Sequence, residues 1–126
     1  MAAKILVVED NPAFQRLLAL ALSEAGYEVI VANDGADGLK KAREYHPQLI
    51  ILDIMLPGMD GYEVCRYMRS DPQLANLPIL MLTAKAGPRD EQEGFRAGAD
   101  DYLTKPVDLS ELMQRIQTLL FFARAS

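Results

Sequence analysis

Leu49-Ile50-Ile51-Leu52-Asp53-Ile54-Met55-Leu56-Pro57-Gly58 is the stretch that decides how the chain folds. Four consecutive apolar residues, Leu49 to Leu52, run into one carboxylate, Asp53. A strand with one wet face alternates apolar and polar residues; an unbroken apolar run is buried on both faces, as in a parallel sheet. Open parallel sheets bind ligands at the carboxyl ends of their strands, which is where Asp53 falls. An aspartate ending a strand is also a common turn former or cap, so its meaning depends on what the other strand ends hold. Pro57-Gly58 fits a type II turn, with proline fixing the first central position and glycine allowing positive φ at the second.

Upstream, Ile5-Leu6-Val7-Val8 is a second apolar run, and it ends in Glu9-Asp10. Asn11 can cap a helix and Pro12 suits its first turn. Phe14, Leu17, Leu18, Leu22 and Ala25 recur at helical spacing, and Gly26 stops the helix. Residues 28–32 form a shorter, less apolar strand, expected at a sheet edge. Asn33-Asp34-Gly35 turns into a helix over 36–45, closed by His46-Pro47 because the residue before proline avoids the helical region. His46 is the only histidine; with no second His or Cys to share a metal, it is expected as a surface helix end.

Downstream, Asp60 caps a helix in which Gly61, Val64, Cys65 and Met68 share a face. A strand over 77–82 ends at Thr83. A helix over 88–97 is stopped by Gly98. It has almost no apolar stripe beyond Phe95 and Ala97, and its Gly94 costs about 0.5–1 kcal/mol relative to alanine, so it reads either as merely short or as loosely held, an element that a switch could move. A strand over 101–104 ends at Lys105-Pro106. Asp108 or Ser110 caps a last helix with Leu109, Leu112, Met113, Ile116 and Leu120 on one face. Of the terminal pair Phe121-Phe122, one ring is expected at the surface.

Five strands alternating with five helices predict an α/β fold with right-handed crossovers. The expected form is a flavodoxin-like, doubly wound, five-stranded parallel sheet of order 2-1-3-4-5, with the apolar runs central. The 126 residues predict one domain, residues 1–126 with a core over about 4–122. A net charge of −5 argues against direct nucleic-acid binding, which needs a basic face. One cysteine permits no internal disulfide, and no apolar run approaches a membrane span, so the expected location is the cytoplasm.

In that sheet the strand ends become neighbours and bring together Glu9, Asp10, Asp53, Thr83 and Lys105. Converging carboxylates repel, and a divalent cation relieves them. Oxygen-only ligands favour a hard ion such as Mg²⁺. A carboxylate, Mg²⁺, a lysine and a hydroxyl describe phosphoryl transfer, with a carboxylate oxygen as nucleophile.

The motifs Val7-Val8-Glu9-Asp10, Leu52-Asp53-Ile54-Met55-Leu56-Pro57-Gly58-Met59-Asp60-Gly61, Leu82-Thr83-Ala84 and Gly98-Ala99-Asp100-Asp101-Tyr102-Leu103-Thr104-Lys105-Pro106 together resemble the receiver domain of bacterial two-component response regulators. The resemblance implies that Asp53 is the phosphoacceptor, Asp10 a direct Mg²⁺ ligand and Glu9 its water-bridged partner. Met55 would bind the metal through its backbone carbonyl. Thr83 is the hydroxyl that moves onto the phosphoryl oxygen, Lys105 pairs with the phosphate, the bond before Pro106 is cis, and Tyr102 swings inward as the switch. It also implies a sensor histidine kinase or phosphotransfer protein as donor. The output surface would be the fourth helix, fifth strand and fifth helix, the face expected to meet a partner or, in a homodimer, a second copy of the chain. Such a domain is regulatory and catalyses only its own phosphorylation and dephosphorylation. A flavin carrier would need a phosphate loop after the first strand, where this chain has acidic Glu9-Asp10. An aspartyl phosphatase would need a second acid two residues after its nucleophile, where this chain has Met55. A degenerate receiver used only for protein contacts would lack some of the five key side chains.

Overall fold

Apolar strands without a polar face need cover on both sides, and this requirement arranges the layers. The computed structural model describes residues 2–125; Met1 and Ser126, the ends of the domain expected over 1–126, lie outside the described residues. The chain runs β1 (Lys4–Val8), α1 (Pro12–Glu24), β2 (Glu28–Ala32), α2 (Gly35–Tyr45), β3 (Leu49–Leu52), α3 (Gly61–Ser70), β4 (Ile79–Thr83), α4 (Pro88–Ala97), β5 (Asp101–Thr104) and α5 (Leu109–Ala125). The strands form one sheet of order β2-β1-β3-β4-β5. Every pair is parallel, with Ile5 opposite Leu49, Ile50 opposite Ile79 and Leu80 opposite Asp101.

Strand alternation divides the core in two. Leu6, Val8, Ile50, Leu52, Ile79 and Met81 pack against Leu39, Val64, Cys65 and Met68, from α2 and α3. Ile5, Val7, Leu49, Ile51, Leu80 and Leu82 face the other way, against Leu18 and Leu22 of α1 and Leu112 and Ile116 of α5. Each fully buried aliphatic side chain contributes about 1.5–3 kcal/mol, so both helical layers are firmly seated. Among the described residues, no helix is long and apolar enough to cross a membrane.

Several local expectations need correction. In α1 only Leu18 and Leu22 are buried; Leu17 is 48% exposed, and Ala25 is the exposed C-cap. The helix meets the sheet along a narrow stripe, so i, i+4 spacing alone overstates its buried face. Strand β4 begins at Ile79 rather than Leu77, because Pro78 has no N–H to add to the ladder; its carbonyl still accepts from Ile50 N at 2.9 Å. Leu109 is partly exposed at the start of α5, where the cap is Asp108, whose Oδ1 accepts from Ser110 N at 2.8 Å. Both Phe121 and Phe122 are exposed, and they pack edge to face on each other at 5.6 Å.

Helix α4 departs from its sequence reading at Phe95 and Gly94, while Ala97 is buried as expected. Phe95 is exposed, while Gly94 and Ala97 are the buried residues. A Cβ at Gly94 would lie 2.9 Å from both Met81 Sδ and Tyr102 Cδ2. The glycine that looked like a flaw in the helix is what lets the α4 backbone lie against the Tyr102 ring. Arg69 of α3 anchors the far end of α4, donating to Gly98 O at 2.7 and 2.9 Å, to Leu77 O at 2.7 Å and to Asp100 Oδ2 at 2.8 Å.

The loop after β3 is equally tight. Gly58 has φ +73, as the second central position of a type II turn requires. Gly61 N donates to Ile54 O at 2.9 Å. A Cβ at Gly61 would run into Asp53 O and lie 2.6 Å from Ile54 Cα. These are backbone atoms and cannot rotate away. Gly61→Ala is therefore expected to lower unfolding free energy by about 1–3 kcal/mol in urea titrations; an unchanged midpoint would show that the loop can shift. A second expectation concerns Cys65. Burial pushes its thiol from the ordinary 9.0 up to about 11. The folded state thus holds the proton more tightly than the unfolded chain. The stability this provides is complete below pH 9 and is lost as pH rises through about 11. The difference in stability between wild type and Cys65→Ala should shrink over that window; a constant difference would refute the assignment.

Candidate functional site

Strands β1, β3 and β5 each keep their hydrogen-bond ladder one residue past their end. Glu9 N donates to Ala32 O at 3.0 Å, Asp53 N to Val8 O at 3.1 Å and Lys105 N to Thr83 O at 2.8 Å. The side chains that follow are therefore set by the rigid sheet. Among the described residues the buried polar or charged ones are Glu9, Asp53 and Thr83, and all three are at this edge.

Lys105 joins them. Its Nζ lies 2.7 Å from Glu9 Oε1 and 3.0 Å from Asp53 Oδ2. The remaining carboxylate oxygens are also used: Asn11 N donates to Glu9 Oε2 at 2.9 Å and Met55 N to Asp53 Oδ1 at 3.1 Å. Burial is the main influence pushing the Glu9 carboxyl upward, opposed by the Lys105 hydrogen bond. For Lys105, burial disfavours the charge, but hydrogen bonds and attraction from Glu9 and Asp53 outweigh it, so its value is raised. The proton stays on the ammonium and the lysine keeps its positive charge.

Asp10, one residue on, is exposed at the mouth of the cleft. Carboxylate oxygens of Glu9, Asp10 and Asp53 lie within 4.8 Å of one another. An all-oxygen donor set at this spacing fits a hard divalent cation. The Met55 side chain is 55% exposed and leaves the cleft to its backbone. The Lys105–Pro106 bond is cis.

Thr83 and Tyr102 share the α4 side of the sheet, since Met81 pairs with Tyr102 and Thr83 with Thr104. Thr83 Oγ1 accepts from Lys85 N at 3.4 Å. Tyr102 is buried and its hydroxyl donates to Lys85 O at 2.6 Å. The inward position that the sequence reading gives to the switched state is the one the ring holds here. An internal acceptor and the bare backbone of Gly94 provide its place.

Three contributors escaped the sequence. Tyr62 donates from α3 to Asp90 O in the first turn of α4 at 3.1 Å. Gly94 gives the close approach described above. Phe14 places its ring 4.3 Å from Lys105 Nζ. Helical spacing assigned Phe14 to the core, and nothing in the sequence pairs it with a residue so distant. A separate cleft of about 450 Å³, lined by His46, Pro47, Leu74, Pro78 and Leu120 among others, lies at the amino ends of the strands. It has no carboxylate or lysine in its lining and takes no part in this chemistry.

Comparison with known proteins gives the same picture. The family described as response regulator receiver domain matches residues 5–117. The alkaline phosphatase synthesis transcriptional regulatory protein PhoP of Bacillus subtilis is 48% identical over 120 residues, covering 95% of this chain and 49% of that protein. The chain thus spans about half the length of that curated relative. The Vibrio cholerae chemotaxis protein CheY4 superposes with a TM-score of 0.89 at 36% identity, covering 94% of this chain and 99% of that one. The receiver domain of a Pseudomonas aeruginosa sensor histidine kinase, solved with a magnesium ion coordinated in its active-site cleft, gives 0.89 at 34% identity, covering 95% and 98%. This chain belongs to the response regulator receiver domain family and is a regulatory domain of two-component signalling.

Proposed function

We propose that the domain takes a phosphoryl group onto Asp53 from a sensor histidine kinase or phosphotransfer protein and thereby changes its α4–β5–α5 surface. The observation that supports this most strongly is the lysine bridge: Lys105 Nζ at 2.7 and 3.0 Å from two buried carboxylates, beside the exposed Asp10. Structural stability does not require two buried acids with a third at their side; a phosphoryl-transfer site does.

In this reading Asp10, Asp53 and the Met55 carbonyl would hold Mg²⁺, with Glu9 supporting through water. The ion would neutralise charge on the transferring phosphoryl oxygens. The Met55 N–H orients the Asp53 carboxylate through Oδ1. One Asp53 oxygen forms a bond to phosphorus as the bond to the donor breaks. Lys105 then exchanges its contact with Asp53 Oδ2 for a phosphoryl oxygen while Glu9 keeps hold of the ammonium. The Thr83 hydroxyl turns from Lys85 N toward another oxygen, and the β4–α4 loop moves with it. Tyr102 and Tyr62 both donate to that loop and the start of α4, so its movement shifts α4. No side-chain hydrogen bond caps α4 at Gly87, which leaves the Tyr62 hydroxyl as a tether of its first turn and the Tyr102 hydroxyl as a tether of the loop before it. Water later attacks phosphorus and restores the carboxylate, so the domain acts on itself and turns over no metabolite.

We take residues 4–122 as the domain core, a cytoplasmic setting, and a homodimer or other protein partner at α4–β5–α5. The net charge of −5 directs any DNA contact to other segments of a longer protein. A degenerate receiver is not favoured, because Glu9, Asp10, Asp53, Thr83 and Lys105 are all present.

With Mg²⁺ and acetyl phosphate, the wild-type protein should gain one phosphoryl mass and Asp53→Asn none; gain by the variant at the wild-type rate would remove Asp53 as acceptor. Mg²⁺ titrations should separate the two neighbouring acids. Glu9→Gln should lose roughly tenfold in affinity, the low end for an outer partner, and Asp10→Asn should lose more. A larger loss for Glu9→Gln would reverse the assignment.

A further inference from the structure

Phe14 lies in the first turn of α1, half-buried, with part of its ring packed on the α1 and α5 side of the core. A face of the same ring lies 4.3 Å from Lys105 Nζ, well inside the roughly 6 Å range of a cation–π contact. The contact closes a cycle. Lys105 Nζ grips Glu9 Oε1 at 2.7 Å, Glu9 Oε2 accepts from Asn11 N at 2.9 Å, Asn11 Oδ1 accepts from Phe14 N at 3.0 Å, and the Phe14 ring returns to Lys105. The turn that starts α1 therefore fixes both the acid that grips the lysine and the ring that covers it.

We propose that Phe14 is a positioning residue for phosphoryl transfer, its ring face holding the Lys105 ammonium where it meets the phosphoryl group on Asp53. The inference rests on the reading of Asp53 as acceptor and adds a residue to that site. A lysine has a flexible four-carbon stem and a compact, strongly hydrated charge. When Lys105 gives up Asp53 Oδ2 for a phosphoryl oxygen, one of its two carboxylate contacts is exchanged, and the ammonium has to stay in the cleft meanwhile. The ring is apolar, offers no competing hydrogen bond and need not move, so it keeps the charge in place through the exchange. An ordinary core role would need only bulk; this role needs an electron-rich face.

Two measurements test it. The first is the Lys105 ammonium signal in ¹H–¹⁵N NMR of the protein without any phosphoryl donor. Its protons should be shifted upfield by the ring in wild type and Phe14→Tyr, and the shift should vanish in Phe14→Leu. The second is the phosphorylation rate with acetyl phosphate and Mg²⁺, measured on folded samples. Phe14→Leu should be slower by about 2-fold to 30-fold, the span of cation–π contacts from exposed to desolvated sites, while Phe14→Tyr stays near wild type. Pentafluorophenylalanine placed at position 14 keeps the ring's shape and reverses its face charge; it should behave like Phe14→Leu and decides the matter if that variant fails to fold. An unmoved ammonium signal, or a fluorinated protein as fast as wild type, overturns the proposal. If wild type itself gains no phosphoryl group, the Asp53 reading fails, while the ammonium signal still decides whether the ring holds the lysine.

Discussion

Two carboxylates buried side by side repel each other, and the site depends on the cation between them. Glu9 is 2% exposed and Asp53 4%. Burial pushes the Glu9 carboxyl upward, and the neighbouring carboxylate adds to the push. Lys105 reaches both from 96 and 52 residues away in sequence. The ammonium makes the crowded acids tolerable, yet it holds Asp53 by a single contact that another anion can claim. A buried pair of this kind is a weak source of stability; what it does is hold Glu9 and Asp53 together at the sheet edge.

The sheet makes that arrangement possible. Parallel pairing sets β1, β3 and β4 side by side with β5 next to β4, so all carboxyl ends open on one edge. The ladder bonds that run past the strand ends fix the backbone from which the Glu9, Asp53 and Lys105 side chains depart. Gly61 presses α3 against the backbone of Asp53 and Ile54, which leaves the β3–α3 loop little freedom. The site is stiff on that flank.

The opposite flank is built differently. Helix α4 meets the sheet through Gly94 and Ala97, with no large side chain of its own buried. Its first turn is tethered by the Tyr62 hydroxyl on Asp90 O, the loop before it by the Tyr102 hydroxyl on Lys85 O, and its end by Arg69 on Gly98 O. Hydrogen bonds to backbone carbonyls can be exchanged one for another at modest net cost, whereas a cavity left by a withdrawn leucine costs several kcal/mol. A helix held in this way can shift without unfolding its neighbours, which is the property an output element requires.

The sequence by itself determined the fold and the composition of the site. The apolar runs at 5–8 and 49–52 read as strands buried on both faces, and their alternation with helices makes the sheet parallel and brings the polar residues that end them to one edge. Those inferences need nothing beyond local pattern and the rule that ligands gather at strand ends. The exposed Leu17, the exposed Phe121-Phe122 pair, the start of β4 and the purpose of Gly94 were decided by the tertiary structure. So were the hold of Tyr62 on α4 and the ring of Phe14 over Lys105. Each depends on what lies across a gap from the residue, and periodicity records which way a side chain points along its own element without recording what it meets. Gly94 illustrates the physical reason: helix propensity counts it as a defect, and only the Tyr102 ring 2.9 Å from its missing Cβ makes it a requirement.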